Sequence, residues 1–219
     1  LALTRVLVDP DPPRPWRWWL VASIATGIAL LSKYHGAFLL VGAVVFVATR
    51  REARRWLRRP EPYVATVIAL AIFAPDLVWN AQHGFASFRF RGARAIPTHV
   101  HHLTALLQNL AGQAGYLFPW IWVPLIYQMY RALRGGPRDG ARWLLLCLGA
   151  GPVVVFTLVS LGGNPGLPHW PAPGYLLLLP LVGDAAARRE TRGPHQRQQL
   201  HRWLAAAAVA FLALVAIAA

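Results

Sequence analysis

The chain of 219 residues is 56% hydrophobic, has a mean hydropathy of +0.41 and carries only 14% charged residues, against roughly a quarter in ordinary soluble domains. Its formal charge of +14 invites a nucleic-acid reading, since basic chains bind phosphate backbones. The arginines instead fall in short segments between apolar blocks, as in membrane proteins that fix their orientation by charge, so nucleic acid is excluded as a partner.

The apolar residues come in continuous blocks of about 15 to 20, close to the ~20 needed to cross a ~30 Å hydrocarbon layer as a helix. They do not alternate as barrel strands do, which leaves helices as the spanning structure. The expected fold is an all-α polytopic membrane protein, a single transmembrane domain over residues 1–219 with about seven spans. The chain opens on Leu1 rather than methionine, and residues 1–8 run directly into Asp9-Pro10-Asp11-Pro12-Pro13 with no visible signal peptide. It therefore reads as the interior or C-terminal part of a longer protein.

The first span is expected at about 18–32, entered through Arg14, Trp16, Arg17 and Trp19. Lys33-Tyr34-His35-Gly36 interrupts the apolar run before a second span at 37–49. One helix over both would be about 48 Å long, too long for a single crossing. After a segment with six arginines, a third span covers 63–79, with Pro75 and Asp76 near its end. A polar stretch over 80–102 follows, then an amphipathic segment over 102–115 that reads as lying at the interface. The remaining spans are expected at 116–130, 143–161, 174–187 and 203–219.

Eighteen of the 22 basic residues fall on one side of this arrangement, in the N-terminal segment and the 50–59, 131–142 and 188–202 loops. The charge rule puts that side in the cytoplasm, in a bacterial inner membrane. The exceptions are Lys33, Arg89, Arg91 and Arg94. Lys33, the single lysine beside 21 arginines, is either an interfacial snorkelling residue or an anion-binding group facing a cavity. Arg89 and Arg91, set among phenylalanines, suit a phosphate held at headgroup level, or else sit in a solvated outer loop. Asp76 is expected to pair with one of these arginines or to sit in interfacial water.

His99 and His102 stand at the i, i+3 spacing of a helical zinc pair, but no carboxylate lies close in sequence. A solvated loop is the reading preferred for His99, His101 and His102, and no metal or other cofactor is expected. His169-Trp170, between Pro168 and Pro171, either touches a lipid or sugar or forms a proline-stiffened helix entrance. Gly135-Gly136 and Gly162-Gly163 read as turns, and no nucleophile motif, Walker loop or dinucleotide fingerprint occurs.

Three stretches carry a family resemblance. Gly27-Ile28-Ala29-Leu30-Leu31-Ser32-Lys33-Tyr34 comes first, then Pro75-Asp76-Leu77-Val78-Trp79-Asn80-Ala81-Gln82-His83-Gly84 with Ser87-Phe88, then His169-Trp170-Pro171-Ala172-Pro173-Gly174-Tyr175. With the arginine-rich loop between the first two, the chain resembles bacterial membrane glycosyltransferases of the protein-mannosyltransferase-like branch (family 39) of the glycosyltransferase-C superfamily. That branch includes the aminoarabinose transferases of lipid A.

The resemblance implies transfer of a sugar from a polyprenyl-phosphate carrier to a lipid, glycan or protein acceptor at the outer, periplasmic face. It implies a substrate-binding set of Lys33, Tyr34, Asn80, His83, Arg89, Arg91, His169 and Trp170, with Lys33 and one of the two arginines on the carrier phosphate. The family's catalytic aspartate lies in a first outer loop, and no span followed by an acidic loop precedes Trp16. No catalytic residue is therefore assigned, and these residues alone are expected to bind carrier lipid without turnover. The alternative is a transporter or flippase for a lipid-linked or anionic substrate, which calls for inverted repeats that the sequence does not display.

Overall fold

The computed structural model describes residues 1–94 and 101–218, and the side chains of all these except 91–94 and 217–218. Among the described residues all the regular structure is helical, with no strand. In order come α1 (Ala2–Leu7), α2 (Pro15–Ser32), α3 (Ala37–Thr49), α4 (Glu61–Gln82), α5 (Ala86–Arg94), α6 (His102–Leu117), α7 (Pro119–Gly135), α8 (Gly140–Ser160), α9 (Ala172–Thr191) and α10 (Pro194–Ala218). Short 3₁₀ turns lie at Tyr34–Gly36, Arg51–Arg58 and Gly136–Arg138. Pro15 and Pro119 open α2 and α7, where a missing N–H costs no hydrogen bond and φ is already helical.

The seven apolar segments coincide with α2, α3, α4, α7, α8, α9 and α10. Three stretches, Glu61–Gln82, Gly140–Ser160 and Pro194–Ala216, are long and apolar enough to cross a membrane. This is an all-α membrane protein.

α2 packs along α4, while α3 and α9 pack along α8. Helices can approach closely in a membrane only where small residues face each other. A Cβ at Gly42 would run into the Cys147 carbonyl, and one at Gly149 would come within 2.8 Å of the Gly174 carbonyl. Trp19, Phe46, Trp56 and Leu144 make one apolar cluster, and Leu125, Tyr175, Leu178 and Leu181 another. Cys147, half-buried, packs against the first.

Arginine-bearing segments distant in sequence meet at one end of the bundle. Arg50 donates to the Pro137 carbonyl (3.3 Å), Arg55 to the Asp9 and Pro10 carbonyls, and Arg142 to Gln128 Oε1 (2.8 Å). Asp184 lies 2.9 Å from Arg188 and 3.6 Å from Arg142.

Several expectations need correction. The described start of the polar stretch, residues 80–94, is largely helical. α4 runs on to Gln82, because Asn80 donates its side-chain amide to the Asp76 carbonyl one turn earlier (2.9 Å), and α5 begins four residues later. The segment from His102 turns inward a polar pair, Asn109 and Gln113, beside Ala105, and packs on α7 and α8. The 116–130 helix begins only at Pro119, since Phe118 at φ 70° breaks the chain between α6 and α7. His99 lies outside the described residues, so the zinc pair is not addressed; among the described residues no group of three metal ligands gathers.

Candidate functional site

Lys33 ends α2 in an extended conformation (φ −158°, ψ 134°), its N–H bonded to the Ala29 carbonyl at 2.9 Å. Tyr34–Gly36 then folds back over the last turn of α2. The turn sits so tightly that a Cβ at Gly36 would lie 2.7 Å from Leu30 N. Glycine is required there by close approach, and the result is that Tyr34 and His35 leave the turn toward different neighbours.

Tyr34 goes to α4 and α5. Its hydroxyl donates to Asp76 Oδ2 (2.8 Å) and its ring stacks on Phe88 at 4.9 Å and 16°. Asp76 is thus partnered by a phenol, a partner the sequence reading, with its choice of a nearby arginine or interfacial water, had not offered. Asn80, one helical turn on and fully buried, places Nδ2 3.2 Å from both the Tyr34 hydroxyl and Asp76 Oδ2. Its Oδ1 accepts from Ser87 N (3.1 Å), and its carbonyl accepts from Phe85 N (2.7 Å). One amide side chain therefore joins the end of α4, the start of α5 and the turn after α2. Burying it without these bonds would cost several kcal/mol, roughly 1–3 per unpaired group.

His35 goes the other way. Its Nε2 lies 3.1 Å from the Trp170 carbonyl and its ring stacks on Phe156 of α8 at 4.9 Å; Phe156 also meets the Trp170 ring at 5.4 Å. The segment carrying Trp170 is held from below by a buried polar chain. Asn109 donates to the Pro165 carbonyl (2.7 Å), and Gln113 donates to Asn109 and to Thr157 Oγ1 (3.1 Å). Tyr175 donates to Gln113 Oε1 and accepts from Trp122 Nε1 (3.0 Å). These bonds tie α6, α7, α8 and α9 to the loop before α9.

Of the expected binding residues, Lys33, Tyr34, Asn80 and Trp170 come together around this turn. Arg89 follows Phe88 on α5 and is exposed. Arg91 is on the same helix, its side chain outside the described residues. His83 stands apart, stacked on Trp79 at 4.3 Å on the outside of α4 with Nδ1 at 2.8 Å from the Trp79 carbonyl. His169 is also exposed, its ring 6.5 Å from Tyr116. Sequence reading had Phe88 only as part of a motif stretch, and missed Phe156 and the Asn109–Gln113 pair. The i, i+4 spacings of Asp76 with Asn80 and of Asn109 with Gln113 were the available signal, since each pair shares a helix face.

An exposed or half-buried cation beside a turn, flanked by stacked aromatic rings at one end of an apolar bundle, is suited to an amphiphile with an anionic head. Residues 5–79, which include Lys33, Tyr34 and Asp76, match the family described as dolichyl-phosphate-mannose-protein mannosyltransferase. The chain is 26% identical over 161 residues to the lipid A galacturonosyltransferase RgtD of Rhizobium johnstonii, an alignment covering 72% of this chain and 33% of that protein. The chain thus spans about a third of the length of that relative. No solved structure matches it significantly. On these comparisons the chain resembles glycosyltransferase-C membrane enzymes related to the aminoarabinose transferases.

Proposed function

We propose that this chain is the carrier-binding part of a membrane glycosyltransferase that moves a sugar from a polyprenyl-phosphate donor to an acceptor at the outer face of an inner membrane. The convergence of the Lys33–Gly36 turn with α4, α5 and the Trp170 loop carries this reading, because most of that cluster lies inside or beside the family match. In such a transfer negative charge develops on the departing phosphate, and fixed cations placed there lower the barrier. Lys33 supplies the first cation and Arg89 or Arg91 the second. Tyr34, Phe88 and Trp170 offer flat apolar surfaces to the sugar or the first isoprene units, and the acceptor is a lipid, glycan or protein. The arginine end faces the cytoplasm by the charge rule, with α2, α3, α4, α7, α8, α9 and α10 as the seven crossings.

Within this reading the chain binds and orients the donor, and the carboxylate that activates the acceptor belongs to the remainder of the transferase. The 219 residues alone are expected to hold carrier lipid without transferring sugar. In the full-length enzyme, Lys33→Ala should lower transfer by about 100-fold or more, the scale for removing one preorganised group at a developing anion, with membrane insertion unchanged. Transfer retained within a few fold by correctly inserted Lys33→Ala overturns the phosphate-binding role.

A further inference from the structure

Asn109, Gln113 and Tyr175 are 4%, 1% and 1% exposed, so each must make its hydrogen bonds inside the protein. They make them in one line, and its direction follows from the first member. An indole N–H can only donate, so Trp122 makes the Tyr175 hydroxyl its acceptor. The Tyr175 proton then goes to Gln113 Oε1, which turns the Gln113 amide hydrogens toward Thr157 Oγ1 and Asn109 Oδ1. Asn109 is left with its Nδ2 facing the Pro165 carbonyl, 2.7 Å away. Three of these links join α7 to α9, α9 to α6 and α6 to α8. The last one leaves the helices for the loop that carries Trp170.

Shape seats the loop at the same place. A Cβ at Gly112, the residue before Gln113, would lie 3.0 Å from Pro168 Cγ. Gly166 turns at φ 64°, and a Cβ there would come within 3.1 Å of the Trp170 ring. Beyond Pro168, the Trp170 carbonyl accepts from His35 Nε2 at 3.1 Å. The rings of His35, Phe38, Phe156 and Trp170 form a row, with neighbouring centroids 4.9 to 6.5 Å apart. All four side chains are part-exposed, and the His35 nitrogen that could serve a sugar hydroxyl is taken up by the loop. The row therefore offers apolar surface, suited to an isoprene chain more than to a sugar.

We infer that Asn109 and Gln113 are positioning residues that act through Trp170. They set the height of the loop, and so the place of the aromatic row that takes the carrier's first isoprene units. The inference rests on the carrier-binding reading above. Polar links between helices add little to the stability of a membrane bundle, whereas a fully satisfied network has one arrangement and fixes the groups at its ends. Two leucines at these positions would pack α6 against its neighbours. They would leave the Pro165 carbonyl without this donor and the loop without a fixed height.

The test measures binding of undecaprenyl phosphate to the full-length enzyme in detergent, with amide hydrogen exchange over residues 162–171 as a second readout. Asn109→Leu keeps the branched shape of the side chain and cuts the last link. It should weaken the probe by about tenfold and speed exchange in the loop by a similar factor, the scale of one lost bond to a buried group. Exchange in α8 and α9 should stay as slow as before. Asn109→Ser, whose hydroxyl is too short to span both partners, should show the same two changes. Trp170→Ala should weaken the probe to a similar degree. The double variant Asn109→Leu/Trp170→Ala decides the route. Residues that act through one contact are non-additive, so the second change should weaken binding by less than about twofold further. Unchanged binding in Asn109→Leu or in Trp170→Ala overturns the inference, as do losses that multiply in the double variant, and each leaves the phosphate role of Lys33 standing. If the unaltered enzyme does not bind undecaprenyl phosphate, the carrier reading falls and this inference falls with it.

Discussion

At the arginine end of the bundle, basic side chains of several segments are held by separate partners: backbone carbonyls for Arg50, Arg54 and Arg55, a glutamine and an aspartate for Arg142, and the Trp56 ring for Arg55 and Arg59 at 5.3 and 5.1 Å. At the turn end the polar contacts converge on one turn, whereas the arginine end spreads its long-range bonds over several segments, Arg50 to Pro137 across 87 residues and Arg55 to Pro10 across 45. Tyr34 meets Asp76 across 42 residues and His35 meets Trp170 across 135. Repeated charge on a membrane flank needs only solvation and sets orientation, so its individual members are interchangeable. A few long-range bonds around one turn fix the direction of particular side chains, which is what a binding site requires. The contrast predicts that substitutions at the turn end change chemistry more than stability, and that those at the arginine end do the reverse.

After Lys33 itself, the largest expected effect is at Asn80. Asn80→Ala removes the donor shared by Asp76 and Tyr34 and leaves Ser87 N–H without its acceptor. An unpaired buried group costs about 1–3 kcal/mol, and the same bonds aim the turn bearing Lys33. Transfer by the full-length enzyme should fall by about 30-fold or more, with a rise in donor KM as well as a fall in kcat, since roughly 2 kcal/mol of misplacement converts to that factor. If kinetics of correctly folded Asn80→Ala match the parent enzyme, the turn end is only a packing device and the comparison breaks.

The arginine end supplies the counterpart. Arg142 is largely buried between Gln128 Oε1 and Asp184. Because Asp184 is partly exposed, its ion pair is discounted and the hydrogen bond to Gln128 dominates, so Arg142→Gln should cost about 1 kcal/mol of stability. Thermal unfolding in detergent measures that loss, and the transfer rate should stay within about twofold, the range of substitutions remote from a site. A tenfold loss of transfer with little loss of stability would show that the two ends are coupled.

How much of this was legible beforehand follows from the physics of each feature. The helices were visible because lipid allows the backbone only one open solution, so each apolar block had to be helical whatever its neighbours did. The break after α2 was visible because Lys33 and Gly36 interrupt an apolar run. Helix ends were less so: that Phe118 at φ 70° separates α6 from α7 is a backbone event with no composition signal. Lys33 and Trp170 could be marked from their places at span boundaries, and Tyr34 and Asn80 through the stretches that carry the family resemblance. Their mutual contacts could not, since the partner of Tyr34 depends on α2 lying beside α4, and a charge-based reading of Asp76 offered an arginine or interfacial water but not a phenol. The Asn109–Gln113–Tyr175 chain was hidden for the same reason, each member having been assigned to an interfacial or spanning face.

The smallest expected effect is at His83, and it tests where the site stops. Asn80 and His83 sit in the same motif stretch, three residues apart, and sequence reading put both on the substrate. In the helix they part company: Asn80 is buried against Tyr34, while His83 lies at the end of α4, exposed, with its ring on Trp79 and its Nδ1 on the Trp79 carbonyl. Those bonds stay within one turn of one helix and orient nothing that reaches Lys33. An exposed side chain of this kind changes free energies by about 0.5 kcal/mol, roughly twofold, so His83→Ala should leave kcat and donor KM within that range. If donor KM instead rises tenfold while kcat holds, His83 touches the carrier from outside the cluster, and the site extends along the exposed face of α4 beyond the Asn80 hub.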